Sequence, residues 1–397
     1  MQNLLSLAGL FLKLGIIGFG GPAVHIGLLE KEVVQRRGWL TQQQFLDLLG
    51  VTNLIPGPNS TEMAIHVGYR RAGFPGLVVA GVSFILPAAL ITLGFAWVYK
   101  EYGTQPQVLR LLHGITPAVL AIILAAIWRL GRTAVKNLRL LGVALGVAIA
   151  SLLGADQVLA LLIGTLAGTL LLGWRRPDSD RALLAAAPML AATGLLQSAR
   201  AAPVATGSIA GGAAIAGVAA AVPLWKLALF FLKVGAVLYG GGYVLIAYLD
   251  GGLVHDFHWL TQQQLLDAVA VGQFTPGPIL STATFVGYLI AGTPGAIVAT
   301  LGIFLPSFVF VAAVSPFVAR LRRSYWASML LDAVNVASIG LMGAVMVVLT
   351  RTTLLRDLDW RAWLIAGTAA AVTLRWKKVA PAWLVLGGAI AGGLLYR

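Results

Sequence analysis

A six-residue interruption constrains this chain more than any other feature: Asn53-Leu54-Ile55-Pro56-Gly57-Pro58 recurs as Gln273-Phe274-Thr275-Pro276-Gly277-Pro278. Each proline removes a backbone donor and pushes the preceding residue out of the α region, so no continuous helix passes through either copy. Both copies lie between apolar stretches in a chain that is 59% hydrophobic and only 11% charged. Asn59-Ser60-Thr61-Glu62 follow the first copy and are residue types that cap and begin a new helix. The expectation is a pair of half-helices meeting inside a membrane, with a helix N-terminus aimed at an anion.

The interruption is the centre of a longer repeat. Phe11-Leu12-Lys13-Leu14-Gly15 returns as Phe231-Leu232-Lys233-Val234-Gly235, and Phe19-Gly20-Gly21-Pro22 as Tyr239-Gly240-Gly241-Gly242. Trp39-Leu40-Thr41-Gln42-Gln43-Gln44 matches Trp259-Leu260-Thr261-Gln262-Gln263-Gln264, Asp47 matches Asp267, and Leu86-Pro87 matches Leu305-Pro306. One offset serves throughout, apart from a single-residue deletion just after the Pro-Gly-Pro. Two homologous halves follow, residues 1–177 and 223–397, joined by an Ala/Gly-rich stretch at 178–222 that is either a loop or a pair of weak extra spans.

Apolar runs near twenty residues make this an all-α polytopic membrane protein. Five spans are expected per half: Leu4 to Leu28, Pro75 to Tyr99, Leu111 to Leu130, Leu140 to Leu153 and Val158 to Leu172, then Leu224 to Leu249, Pro294 to Phe317, Met329 to Leu349, Ala362 to Leu374 and Ala380 to Leu395. Thr41 to Tyr69 and Thr261 to Tyr288 are too broken to cross and are expected to form re-entrant hairpins. The run Leu4 to Ile17 is a structural helix, not a signal peptide: it lacks a basic n-region, carries Lys13 inside it, and recurs at Leu224 to Val237.

The formal net charge of +14 sits in short loops between apolar runs, where positive-inside orientation accounts for it and nucleic-acid binding does not. The loop Glu30 to Gly38 carries Lys31, Arg36 and Arg37, whereas its twin Asp250 to His258 has no Lys or Arg. One is expected inside and the other outside. That rule also puts Arg70, Arg71, Arg129 to Arg139, Arg175, Arg176, Arg320 to Arg323 and Arg375 to Lys378 inside, with Lys100, Arg110, Arg351, Arg356 and Arg361 as exceptions. Five spans per half, an odd number, would then make the halves inverted repeats if the joining stretch crosses zero or two times, the plan of many secondary transporters whose sites lie where broken helices meet at the midplane.

The expected substrate site gathers around the two breaks. A helix starting at Pro58 or Asn59 leaves up to four amides unpaired and about half a positive charge at its start. Pro56, Gly57, Pro58, Asn59, Ser60 and Thr61 supply the first copy with Asn53 before it; Gln273, Thr275, Pro276, Gly277, Pro278 and Ser281 supply the second. Simple packing kinks are the competing reading. Lys13 and Lys233 are either cations flanking the path or partners of buried carboxylates such as Asp47 and Asp267. Gly20, Gly21, Gly240 and Gly241 would let a backbone or a substrate approach closely. Glu62 and His66 stand one turn apart and have no twins, Ser281 and Phe285 taking their places. With His25 they are candidates for proton coupling, against ordinary structural roles.

No catalytic motif is present, and neither a cofactor nor a metal is expected; His255 and His258 lack further ligands in sequence. The chain has no cysteine, which excludes disulfides and thiolate metal sites. An intramembrane hydrolase or transferase would need a nucleophile or metal set that cannot be assembled.

The run Phe11 to Pro22, the Trp-Leu-Thr at Trp39 to Thr41 and the Asn-Leu-Ile-Pro-Gly-Pro at Asn53 to Pro58 resemble the chromate ion transporter family in its long two-domain form. The resemblance implies export of chromate from a bacterial cytoplasm, conferring chromate resistance, without ATP, through two domains of opposite orientation. Its partners would be the oxyanion and the lipid bilayer, and a homo-oligomer is left open. Gly242 and Gln273 depart from the pattern of Pro22 and Asn53, so an asymmetric site is expected. Sulfate or another oxyanion is the alternative substrate, because chromate and sulfate are similarly shaped tetrahedral dianions.

Overall fold

A computed structural model describes residues 2–19, 21–173, 222–317, 325–355, 358–376 and 379–396. Gly20, nearly all of the joining stretch, and Arg175, Arg176, Arg320 to Arg323, Arg356, Lys377 and Lys378 of the orientation argument lie outside the described residues. Among the described residues, all regular structure is helical.

The first half runs α1 (Gln2–Ile17), α2 (Pro22–Glu30), α3 (Gln42–Thr52), α4 (Asn59–Tyr102), α5 (Pro106–Ala134), α6 (Leu138–Leu152) and α7 (Gln157–Gly173). The second repeats the order as α8 (Leu224–Val237), α9 (Leu245–Leu249), α10 (Gln262–Phe274), α11 (Thr282–Val314), α12 (Tyr325–Thr350), α13 (Trp360–Arg375) and α14 (Pro381–Leu395). Thr41 and Thr261 cap α3 and α10 through matching capping boxes with Gln44 and Gln264.

Leu4 to Leu28 is not one span, and neither is Leu224 to Leu249. Helix α1 stops at Ile17 and α2 begins at Pro22; α8 stops at Val237 and a short 3-10 turn at Gly242–Val244 leads into α9. The physical cause is glycine: Gly21, Gly240 and Gly241 hold φ of 85°, 86° and 94°, values that interrupt a right-handed helix. Each half therefore contains two chain breaks, this one and the Pro-Gly-Pro.

A second correction concerns span length. Among the described residues, four helical segments are long and apolar enough to cross a membrane: Asn59–Tyr102, Pro106–Ala134, Ile279–Val314 and Ser328–Leu355. Helices α6 and α14 have 15 residues each, about 22 Å at 1.5 Å per residue, short of the ~30 Å hydrocarbon core.

Helix α4 bends back on itself at Ala72 and Gly73, where φ/ψ leave the helical region, and α11 does the same at Ala291 and Gly292. The turns are tight because both sides are bare: a β-carbon on Gly68 would strike the Gly76 carbonyl and Ala80, and one on Gly287 would strike the Gly295 carbonyl and Ala299. Each Pro-Gly-Pro is thus followed by an outgoing half-helix that folds against the long helix after it.

The halves interlock. Helix α1 packs on α4 and α8 on α11, while α4 packs directly on α11. The last two helices of each half lie against the other half: α6 and α7 against α12, α13 and α14 against α5. These contacts are close because small residues line them, as at Gly114 with Gly388 and Gly392, and Gly168 with Ala333.

Candidate functional site

The four chain breaks meet at the centre of this interlock. The Gly57 amide donates to the Leu238 carbonyl at 2.7 Å, and the Gly277 amide donates to the Gly18 carbonyl at 2.8 Å. Leu238 and Gly18 are the equivalent residues that end the first broken helix of each half, so each Pro-Gly-Pro is tied to the opposite half. Gly57 and Gly277 adopt φ of 139° and 88°, and neither has room for a side chain: a β-carbon at Gly57 would meet the Glu62 carboxylate and the Ser307 hydroxyl, and one at Gly277 would meet Ala88.

Beyond each tie a helix begins with unpaired donors. The amides of Asn59 and Ser60, and those of Ile279 and Leu280, have no acceptor among the described residues. Pro58 occupies the N-cap of α4 and gives no side-chain cap, so Asn59 stands inside the first turn. The Asn59 side-chain amide instead donates to the Asn53 side-chain carbonyl at 2.6 Å, closing the break. In the second half Gln273, at the Asn53 position, accepts from the Tyr243 hydroxyl at 3.3 Å and keeps its own Nε2 unpartnered.

Hydroxyls surround both starts. At the first, Ser60 and Thr61 are buried, and the hydroxyls of Thr61 and Ser307 have no partner. At the second, Thr92 donates to Ser281 at 3.2 Å and reaches Thr275 at 3.5 Å, while Thr275 also bonds the Val271 carbonyl. The unpartnered hydroxyl of Ser338 on α12 lies against Gly240. Buried, neutral donors beside two helix starts make a setting that favours an anion and leaves it free to depart.

Each lysine lies beside a carboxylate, the second of the two roles expected of it. Lys13 pairs with Glu32 at 3.1 Å in the π-helical turn Lys31–Arg36, and its side chain is 49% exposed. Arg36 and Arg37 approach the same carboxylate at 2.8 and 3.5 Å. Burial pushes the Glu32 carboxyl up, but the hydrogen bonds and charges of Lys13 and Arg36 outweigh it and hold Glu32 below the usual range. Lys233 lies 3.8 Å from Asp156. Carboxylate partners were thus foreseeable, though not these: Asp47 accepts from Gln43, and Asp267 accepts from Tyr99 and Gln263.

The three proton-coupling candidates are all buried. His25 donates through Nε2 to the Gly18 carbonyl at 2.7 Å, the same oxygen that accepts the Gly277 amide, and it shares a small cavity with Ser60. Glu62 is fully buried, and neither carboxylate oxygen has a hydrogen-bond partner among the described residues. His66 Nδ1 stands 3.1 Å from the Ser315 hydroxyl and its Nε2 has no partner. His255 lies 3.4 Å from Asp250, away from the breaks.

Sequence reasoning missed Thr92, Tyr239, Tyr243, Ser307 and Ser338. The available signal was polarity in apolar company: Ser307 follows Pro306, and Thr92 lies five residues after Pro87. Tyr239, whose hydroxyl reaches the Leu54 carbonyl at 3.4 Å, stands where the first half has Phe19.

Comparison with known proteins agrees with the repeat. A family profile described as Chromate transporter matches residues 5–171 and 225–393. The chain is 31% identical to the chromate transport protein of Cupriavidus metallidurans over 99% of its own length and 94% of the relative's. It is 30% identical to the chromate transport protein of Pseudomonas aeruginosa, covering 97% of this chain and 91% of the other. No solved structure matches.

Proposed function

The chain belongs to the chromate transporter family, and we propose from that premise that it exports chromate from a bacterial cytoplasm across the inner membrane as a secondary transporter, conferring chromate resistance. The observation that carries this reading is the pair of cross-half ties, Gly57 to Leu238 and Gly277 to Gly18, each beside a helix start with unpaired amides and buried hydroxyls. Residues 1–177 and 223–397 are the two repeats, inverted with respect to the membrane, and the substrate passes between their breaks.

In this reading Asn53, Pro56, Gly57, Pro58, Asn59, Ser60 and Thr61 form one side of the path. Gln273, Thr275, Pro276, Gly277, Pro278 and Ser281 form the other, with Gly21, Gly240 and Gly241 providing close approach. Lys13 and Lys233 supply positive potential from the ends of the path, partly neutralised by Glu32 and Asp156. His25, Glu62 and His66 move protons. Export of a dianion from a negative-inside cell is electrically downhill by about 4.6 kcal/mol per 100 mV, so proton exchange sets regulation more than driving force.

Sulfate remains the second reading, because hydroxyls and amides recognise any tetrahedral oxyanion. Cells loaded with chromate test the direction: cells making this chain should lose chromate faster than cells without it, and equal rates would reject export.

A further inference from the structure

The two helix starts are equivalent in backbone and unequal in charge. At the first, the Glu62 carboxylate folds back against Gly57, directly before the α4 start, where it meets no cation and no hydrogen-bond partner among the described residues. Ser307, reaching in from α11, brings an unpartnered and fully buried hydroxyl to the same point. At the second start the same place is held by Ser281, satisfied by Thr92, and by Ala88 in place of Ser307. One start carries a buried carboxyl group and the other does not.

We propose that Glu62 is a tethered anion: its carboxylate occupies the first of two oxyanion seats and gives that seat up to the transported oxyanion only by taking a proton. The Asn59 and Ser60 amides, Ser307 and Thr61 are the donors of that seat. A bare carboxylate buried without a partner is costly, and the end of α4 with its partial positive charge is the nearest compensation. An oxyanion bound by those donors would lie beside the carboxylate, and two negative charges so close in a dry site repel strongly. Uptake of one proton by Glu62 removes the repulsion and leaves a neutral carboxylic acid. The other titratable groups facing it are Tyr239 from the end of α8, His66 one turn along α4, and His25 of α2 across the cavity that Ser60 lines. No Lys or Arg of the described elements pairs with it. The second seat, with Thr92, Thr275 and Ser281, exchanges no proton.

This proposal rests on the oxyanion-transport reading, and the experiment separates the two. Chromate is titrated into purified full-length protein at about pH 8 in weak buffer, with proton uptake followed by an indicator dye. The expected result is close to one proton taken up per anion at the first seat, and none by Glu62→Gln, which should bind chromate with little dependence on pH. Ser307→Ala, which keeps the carboxylate, should weaken chromate binding and retain proton uptake. Chromate binding by the unaltered protein with no proton uptake, or Glu62→Gln with undiminished uptake, overturns the tethered anion alone. Absence of chromate binding by the unaltered protein overturns the transport reading and this proposal with it.

Discussion

The amide of Gly57 donates to the carbonyl of Leu238 across 2.7 Å, joining the Pro-Gly-Pro of one half to the first chain break of the other. Its counterpart, Gly277 to Gly18, repeats the arrangement in reverse. Two amides that would otherwise be free at the breaks are spent on holding the halves together. In the proposed reading, anion recognition falls to the next amides along, at Asn59, Ser60, Ile279 and Leu280, and to the hydroxyls around them.

Gly57→Ala should therefore damage the fold and the path together. The new methyl group enters a φ of 139° and strikes the Glu62 carboxylate and Ser307. Strain of this kind costs on the order of 1–3 kcal/mol. The expected outcome is a lowered melting temperature of the detergent-solubilised protein together with loss of export. A melting temperature equal to that of the unaltered protein would show that the break accommodates a methyl group at this position.

Asn53→Ala removes the acceptor of the 2.6 Å bond from Asn59 and leaves a half-buried amide without that partner. A loss of about 1–3 kcal/mol corresponds to roughly a five- to 150-fold effect. Export of chromate from loaded cells should fall within that range at unchanged protein level. Lys13→Ala should also reduce export, while leaving Glu32 to Arg36 and Arg37. Full export by either variant would remove that residue from the path.

Much of this organisation was legible in the sequence. The duplicated breaks and the helix start at Asn59 follow from local rules about proline and capping that tertiary context seldom overrides. The break inside Leu4 to Leu28 was misread because Phe19-Gly20-Gly21-Pro22 is apolar and short, so hydropathy runs straight through it, while glycine's positive φ leaves no mark on a hydropathy scale. The partners of Lys13 and Lys233 were not legible either, since Glu32 lies 19 residues from Lys13 and Asp156 belongs to the other half from Lys233. Thr92 and Ser307 reach the site only because α4 and α11 cross, a relationship that no pattern within one segment encodes.

Acid should loosen the Glu32 cluster. Because this carboxyl is held below its usual range in the folded protein, it contributes stability at pH values above its unfolded value, about 4.3 for a free glutamate. That contribution is lost as pH falls through the lowered folded value. Melting curves at neutral and acidic pH should show a drop that Glu32→Gln reduces. An identical pH dependence in the variant would assign the acid sensitivity elsewhere.

Tags inserted in the loops 31–37 and 250–258 should report opposite sides of the membrane, as inverted repeats require. Labelling of both tags from the same side would rule out inversion and with it the symmetric crossing of the breaks.

Flux of labelled chromate in vesicles containing the purified protein tests the central claim most directly. It is measured with sulfate as competitor, with and without a pH gradient, under a potential set by potassium diffusion. Chromate should move toward the positive side faster than in protein-free vesicles and respond to an imposed pH gradient, and sulfate should compete only in excess. Chromate flux no greater than in protein-free vesicles would contradict the account.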